Sequence, residues 1–256
     1  MSVIRARLQS TPVRSKADIQ RFFDGFAEHN TEHHGAADRL LNYRLAVLAK
    51  HAAFRPSDTV LDIGCGNGHH LLALEGRIGR GIGVDLSAGM VEAARRRAGQ
   101  PGARASHFEF HQDDAERLAG VPDASVDVVM CVGAIEHMPD KRSVLRAVRR
   151  VLRPGGRFVC LTLNDAWFWY RRLAPALGYE TRHLASDERL EPRQARGLLA
   201  EAGFAPAVVD YWTFIPAGDM PALWHTVFRL LDVPARRLGI ATLRGGLVLS
   251  GTVRAA

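Results

Sequence analysis

The sequence predicts an α/β fold, a doubly wound, mostly parallel sheet with helices on both faces. Three observations carry this. Strand-like and helix-like segments alternate from Thr59 to Asn164, and such alternation means βαβ units. A turn with three alternating glycines, "DIGCGNG" (62–68), leads from the first strand of that series into its first helix. Two further strand-like runs close the chain, separated by a helical stretch.

The elements follow in order. Residues 16–54 read as helical, with Ile19, Phe22, Phe23 and Phe26 on one face, and a second helix carries Leu40, Leu41, Leu45, Val47 and Leu48. Their apolar residues recur at helical spacing. "RPSD" (55–58) is a turn. "TVLDIG" is a strand and "GHHLLALEG" a helix; "GIGVDL" is a strand, and "SAGMVEAARRRAG" a helix with Ser87 placed as its N-cap. "HFEFHQ" and "SVDVVMCVG" are strands, "KRSVLRAVRRVLRPGG" a helix closed by proline and glycine, and "RFVCLTLN" a strand. "AVVDYWTF" (207–214) and "GGLVLSGTV" (245–253) form the last two strands. Between them residues 219–239 read as a helical insertion with an apolar face of Leu223, Val227, Leu230 and Leu231. Covering the sheet edge is the ordinary role for such a stripe. A substrate lid, a dimer contact and a membrane-facing patch are the alternatives.

Composition bounds the function. The chain has 256 residues, 47% hydrophobic and 24% charged, which fits one globular α/β domain with additions. "MSVIRARLQSTPVRSK" has no apolar core of a secretory signal, and no run has the length of a membrane-spanning helix. Cys65, Cys131 and Cys160 are too few and too scattered for a disulfide framework or a zinc set, so a cytoplasmic setting is expected. The net charge is +7, nearly all of it arginine, spread along the chain with short clusters at 95–97, 149–150 and 171–172. A nucleic-acid stripe would be more concentrated, so no nucleic-acid partner is expected.

The glycine turn carries the chemistry. Such a turn brings backbone amides close to a ligand at a helix N-terminus. The pattern D-x-G-x-G-x-G is tighter than the dinucleotide fingerprint. Asp85 ends the second strand, where a carboxylate accepts both hydroxyls of a ribose. Asp62 would repel a pyrophosphate and suits an ammonium or sulfonium. A nucleoside with a zwitterionic amino-acid tail fits this layout better than a nicotinamide dinucleotide.

"VLDIGCGNG", "GVDLS", "HQDDAERL", "DVVMCVGAIEHMPD" and "LRPGGRFVCLTLN" stand in the order and spacing of the class I S-adenosylmethionine-dependent methyltransferases. The chain resembles that superfamily over most of its length. "NYRLAVLAKH", "EHMPD" and "LTLND" are most similar to the ubiquinone-type O-methyltransferases. The resemblance implies a single domain over 1–256: an N-terminal helical cap (1–55), a cofactor-binding core (56–164) and an acceptor-covering segment with the last two strands (165–256). It implies a seven-stranded Rossmann-like methyltransferase sheet whose last strand is antiparallel, and S-adenosyl-L-methionine as cofactor.

The same resemblance assigns roles. Gly64, Gly66 and Gly68 let the backbone approach the methionine part, with Asp62 near its amino end. Asp85 holds the ribose hydroxyls and Leu86 lies against adenine. Asp114 accepts from the adenine amino group beside Ala115, with Asp113 as the competing position. Val132 and Gly133 lie along the cofactor, and Arg44 grips its carboxylate.

Methyl transfer is an in-line displacement that needs alignment and, for a hydroxyl acceptor, removal of a proton. His137 in "AIEHMPD" is the candidate base, and Glu136 its neighbour. In some quinone-type relatives an E-x-x-E-H pattern holds a metal; here its first position is Gly133, so no metal is expected. "EHNTEHH" (28–34) lacks a compact ligand spacing and reads as an exposed helix end. The aromatic run after the fifth strand, Trp167 to Tyr170 with Tyr179, is expected to cover the acceptor pocket. The resemblance implies a small-molecule acceptor, and an oxygen of a quinone precursor, phenol or natural product is expected. Alternatives are N- or C-methylation of a lipid, sugar or amine, an RNA methyltransferase, and a cofactor-binding module without catalysis.

Overall fold

The computed structural model describes residues 15–27, 37–100, 107–178, 184, 186–212, 226–227, 230–231, 234–235 and 237–254. The strands are β1 (Thr59–Ile63), β2 (Arg80–Asp85), β3 (Phe108–Gln112), β4 (Val126–Val132), β5 (Leu152–Leu163), β6 (Val208–Trp212) and β7 (Gly246–Thr252). They form one sheet in the order β3-β2-β1-β4-β5-β7-β6. Only β7 runs antiparallel to its neighbours, β5 and β6. The main helices among the described residues are α1 (Lys16–Phe26), α2 (Ala37–Ala52), α3 (His69–Leu72), α4 (Ala88–Ala98), α5 (Lys141–Val151) and α6 (Pro192–Glu201).

The period-two alternation of strands sorts apolar residues onto two cores. Along β4, Val129 and Cys131 face one core with Leu145 and Val148 of α5 and Leu199 of α6. Val128, Met130 and Val132 face the other, with Leu45 and Leu48 of α2 and Val91 of α4. Strands buried on both faces read as unbroken apolar runs, as "VVMCV" does. Strand order reverses between β1 and β4, and the crevice at the carboxyl ends there is where doubly wound sheets bind ligands.

Two boundaries differ from the sequence expectation. "RPGG" does not close a helix: α5 stops at Val151 and β5 begins at Leu152, which pairs with Val126. Leu152 is buried in the core, and the register shifts before Arg157 resumes opposite Val128. Pro154, which lacks an amide donor, lies in that irregular stretch. The helix after the glycine turn is a single turn, 69–72. The expected N-cap holds: Ser87 Oγ accepts from Met90 N at 3.1 Å.

The aromatic run is mostly interior. Trp167 and Trp169 are buried and Tyr170 nearly so, packed with one another, while Phe168 is exposed. Tyr179, "EHNTEHH" and most of the 219–239 insertion lie outside the described residues; of the insertion's apolar stripe, Leu230 and Leu231 are exposed. Among the described residues no helix is long and apolar enough to cross a membrane.

Candidate active site

The glycine turn has the backbone its residues predict. Gly64, Gly66 and Gly68 have φ of 67°, 53° and 75°, the left-handed region that disfavours any side chain. Gly64 N and Cys65 N donate to Val84 O at 2.8 and 3.0 Å, tying the turn to β2. A Cβ on Gly64 would lie 2.5 Å from Ala134 Cβ, and one on Gly68 2.9 Å from the Phe110 ring. The turn is therefore pressed against its own protein on two sides, a constraint separate from any ligand.

Asp85 closes the turn from β2. Its Oδ2 accepts from Gly66 N at 2.8 Å and its Oδ1 from Ser87 N at 2.9 Å. A carboxylate has about four acceptor sites, so both oxygens keep capacity for a ligand hydroxyl. Burial raises the Asp85 pKa, the two amide bonds oppose it, and the result stands above the ordinary value. Leu86 follows, its carbonyl accepting from Gln112 Nε2 at 3.1 Å.

Among the described residues, Asp62 and Arg44 each carry a buried polar atom without a hydrogen-bond partner. Asp62, 1% exposed at the end of β1, has a buried Oδ1 that meets no donor. Burial, and then the Asp85 charge, hold its pKa well above the ordinary carboxyl value. Arg44 of α2 has a buried Nε that meets no acceptor, and its guanidinium lies 5.6 Å from the Trp212 ring centroid. Burial lowers its pKa to about 10 against the opposing pull of Glu136. Orphaned buried polar atoms are uncommon and call for an explanation.

The third strand's loop separates the two competing aspartates. Asp113 is occupied with backbone, accepting from Asp114 N at 2.7 Å and Gly120 N at 2.9 Å. Asp114 turns to the cap helix: its Oδ2 accepts from Lys16 Nζ at 2.6 Å and its Oδ1 from Glu116 N at 3.0 Å. Ala115, between them, packs on the core. Glu116 receives the same Lys16 ammonium and, on its other oxygen, Asp140 N at 2.9 Å. Helix α1 thus reaches the sheet edge at three places. Lys16 grips Asp114 and Glu116, Asp24 caps α4, and the Phe23 ring lies 5.1 Å from that of His137.

Beyond β4, Val132 is buried and Gly133 N donates to Leu161 O at 2.8 Å. The chain then makes a 3₁₀ turn, Ile135–His137. Glu136 is 5% exposed and its Oε2 accepts from Thr162 Oγ1 at 2.9 Å. His137 Nδ1 lies 2.6 Å from Asp187 Oδ1. Burial disfavours the charged ring, but the Asp187 bond and the Glu136 and Asp187 charges outweigh it, leaving the pKa above the ordinary imidazole value. The His137 charge acts on Asp85, Glu136 acts on Arg44, and Asp85 acts on Asp62. These residues from α2, β1, β2 and the β4 turn therefore share one electrostatic neighbourhood.

Comparison with known proteins meets this geometry. Residues 61–160 match a family model described as "Methyltransferase domain". An uncharacterized methyltransferase of Bacillus subtilis, YcgJ, is 40% identical over 115 residues, covering 45% of this chain and 44% of that protein. A ubiquinone biosynthesis O-methyltransferase of Idiomarina loihiensis is 34% identical over 121 residues, 47% of this chain and 49% of its own length. The chain spans about half the length of the curated relatives it matches. Among solved structures, the [4+2]-cyclase SpnF superposes with a TM-score of 0.70 at 18% identity, over 96% of this chain and 98% of that one. The protein partnered with the Haloferax volcanii Trm112 methyltransferase activator gives 0.67 at 24%, over 91% and 97%. These likenesses establish the fold. That one structure with this fold is a cyclase shows that function must be argued from the site.

The structure thus gathers Arg44, Asp62, the three glycines, Asp85, Leu86, Asp114, Ala115, Val132 and His137 along the carboxyl edge. Lys16, Phe23, Asp24, Glu116 and Asp187 join them, which sequence reasoning missed. A capping box at Ser15–Asp18 marks the start of α1, but nothing local marks what its side chains reach.

Proposed function

We propose that the protein transfers a methyl group from S-adenosylmethionine to a hydroxyl oxygen of a small molecule, a quinone precursor, phenol or natural product. The observation that carries this reading is Asp62, buried at the switch point of the sheet, whose Oδ1 meets no donor among the described residues. A ligand ammonium answers it, and the Arg44 guanidinium, whose buried Nε meets no acceptor among the described residues, suits the carboxylate of the same amino-acid tail. Asp85 suits the ribose hydroxyls and Asp114 the adenine amino group, so the residues present fit the cofactor. When bound, it supplies a methyl on a positively charged sulfur, already a strong electrophile.

The chain's own part is alignment and proton removal. The glycine turn and Asp85 fix the nucleoside end. Helix α1, held by Lys16 and Asp24, covers it and excludes water. His137, at the carboxyl edge and within reach of the Asp85 charge, accepts the hydroxyl proton. The ubiquinone O-methyltransferase likeness supports an oxygen acceptor, and the three buried free cysteines support a reducing, cytoplasmic setting.

Calorimetry with two ligands tests the reading. S-adenosylhomocysteine carries the amino-acid tail and 5′-methylthioadenosine lacks it. Asp62→Asn should weaken the first by roughly ten- to a hundredfold, the scale of one lost charge-assisted bond, and leave the second nearly unchanged. Equal affinities of wild type and variant for S-adenosylhomocysteine would refute the assignment.

A further inference from the structure

We infer that Asp187 is the positioning residue for His137: it holds the imidazole with the proton on Nδ1, so that Nε2 takes the acceptor's proton. The inference rests on the hydroxyl-methylation reading above and adds to it a residue fifty positions away in the chain.

The geometry is that of a fixed pair. Asp187 Oδ1 is 2.6 Å from His137 Nδ1, and Asp187 is 5% exposed. Its other oxygen accepts from Leu184 N at 2.9 Å, and its own amide donates to Leu184 O at 3.1 Å, so the carboxylate is anchored within a tight turn. That turn is fastened to the His137 loop. Glu188 N donates to Glu136 O at 3.0 Å, and Lys141 Nζ joins Glu188 Oε2 and Met138 O at 3.1 Å each. The Phe23 ring flanks the imidazole at 60°. A histidine gripped through Nδ1 by an anchored carboxylate has one tautomer when neutral.

Among the described residues, the charged groups seen to act on the ring are Asp187 and Glu136 beside it, Lys141 of α5 and Asp85 of β2. Three carboxylates face one ammonium, which favours the imidazolium. In the reaction the hydroxyl O–H proton passes to Nε2 as the oxygen's electron pair forms the bond to the methyl carbon. The carbon–sulfur pair leaves with sulfur, giving the neutral thioether. The positive charge that began on sulfur ends on the imidazolium, next to Asp187, before the proton returns to solvent. Such support suits acceptors whose hydroxyl is not ionised at neutral pH.

Nitrogen–proton correlation spectra of the imidazole rings test this in the full chain saturated with S-adenosylhomocysteine, with His137→Gln assigning the signals. In wild type the neutral His137 ring should carry its proton on Nδ1 and titrate above about 6.5. Asp187→Asn should lower that pKa and populate the other tautomer. Methylation of catechol as the acceptor probe should fall by roughly 10- to 100-fold in kcat, with KM and cofactor affinity little changed. A neutral wild-type ring protonated on Nε2 overturns the inference even if the variant does not fold. So does a pKa and tautomer that Asp187→Asn leaves unmoved. If the ring behaves as expected but His137→Gln methylates catechol at the wild-type rate, the base reading fails, and with it the catalytic meaning of the Asp187 contact.

Discussion

Asp24 Oδ1 accepts the Ser87 hydroxyl at 2.6 Å and, from the same helix start, Gly89 N at 3.0 Å. A carboxylate of the cap helix thus completes the N-terminus of α4, directly after Asp85. Negative charge is favourable there, because the first amides of a helix have no partners within it. The same carboxylate raises the pKa of Asp85, so the cap helix and the end of β2 are coupled.

Replacing Asp24 by alanine should release α1 from the sheet edge. The loss is about 1–2 kcal/mol, that of a helix cap, because α4 keeps its own Ser87. Hydrogen exchange should become faster over 16–26 with little change in β1 or β4. Unaltered exchange in α1 would mean that the helix is held by its apolar face alone.

Lys16 fastens the other end of α1. Its pKa is raised: burial lowers it, but the bonds to Asp114 and Glu116 prevail. The Lys16 side chain is about a third exposed, at 36%, so solvent and salt weaken the contact. Lys16→Met should speed dissociation of S-adenosylhomocysteine several-fold in low salt, with the difference shrinking in high salt. Stopped-flow displacement measures this, and a salt-independent difference would point to packing of the side chain's stem instead.

How far the sequence could foretell this depends on the range of the interaction. β1, β2 and β4 were readable because strands buried on both faces need unbroken apolar runs. Asp62, Asp85 and the glycines were readable because their relation is local to one βαβ unit. The end of α5 was not, because pairing of Leu152 with Val126 across the sheet overrode the helix-closing signal of Pro154 and Gly155. Asp187 was invisible for the same reason: its only marker is His137, fifty residues back. The glycine turn was half legible. The left-handed backbone was foreseeable, but the crowding by Ala134 and Phe110 comes from distant segments.

That crowding separates two glycines of similar φ. Gly64 has φ of 67° and its Cβ would meet Ala134; Gly133 has φ of 63° and open space. Gly133→Ala should therefore cost about 1–2 kcal/mol, the backbone strain alone. Gly64→Ala should cost about 2–5 kcal/mol, strain plus overpacking. It should also displace the 134–137 turn and with it His137. Denaturant unfolding of the two variants compares them directly, and equal losses would show that the Ala134 side yields freely.

The last prediction concerns the proton on Asp62. Its pKa is raised by burial and by Asp85, so without ligand the neutral carboxyl is favoured above the ordinary carboxylate range of about 4. A raised carboxyl pKa makes the folded state lose stability as pH climbs from the unfolded value through the folded one. A ligand ammonium beside Asp62 reverses this by favouring the ionised form. Binding of S-adenosylhomocysteine at about pH 6 should therefore release protons from the protein, and affinity should rise with pH until Asp62 ionises unaided. Calorimetry in buffers of different ionisation enthalpy counts the protons released. 5′-Methylthioadenosine reaches the Asp85 region without an ammonium, so it should release fewer, and Asp62→Asn should remove the difference between the two ligands. If both ligands release protons equally in the wild type, the titrating group is Asp85, and the ammonium does not lie at Asp62.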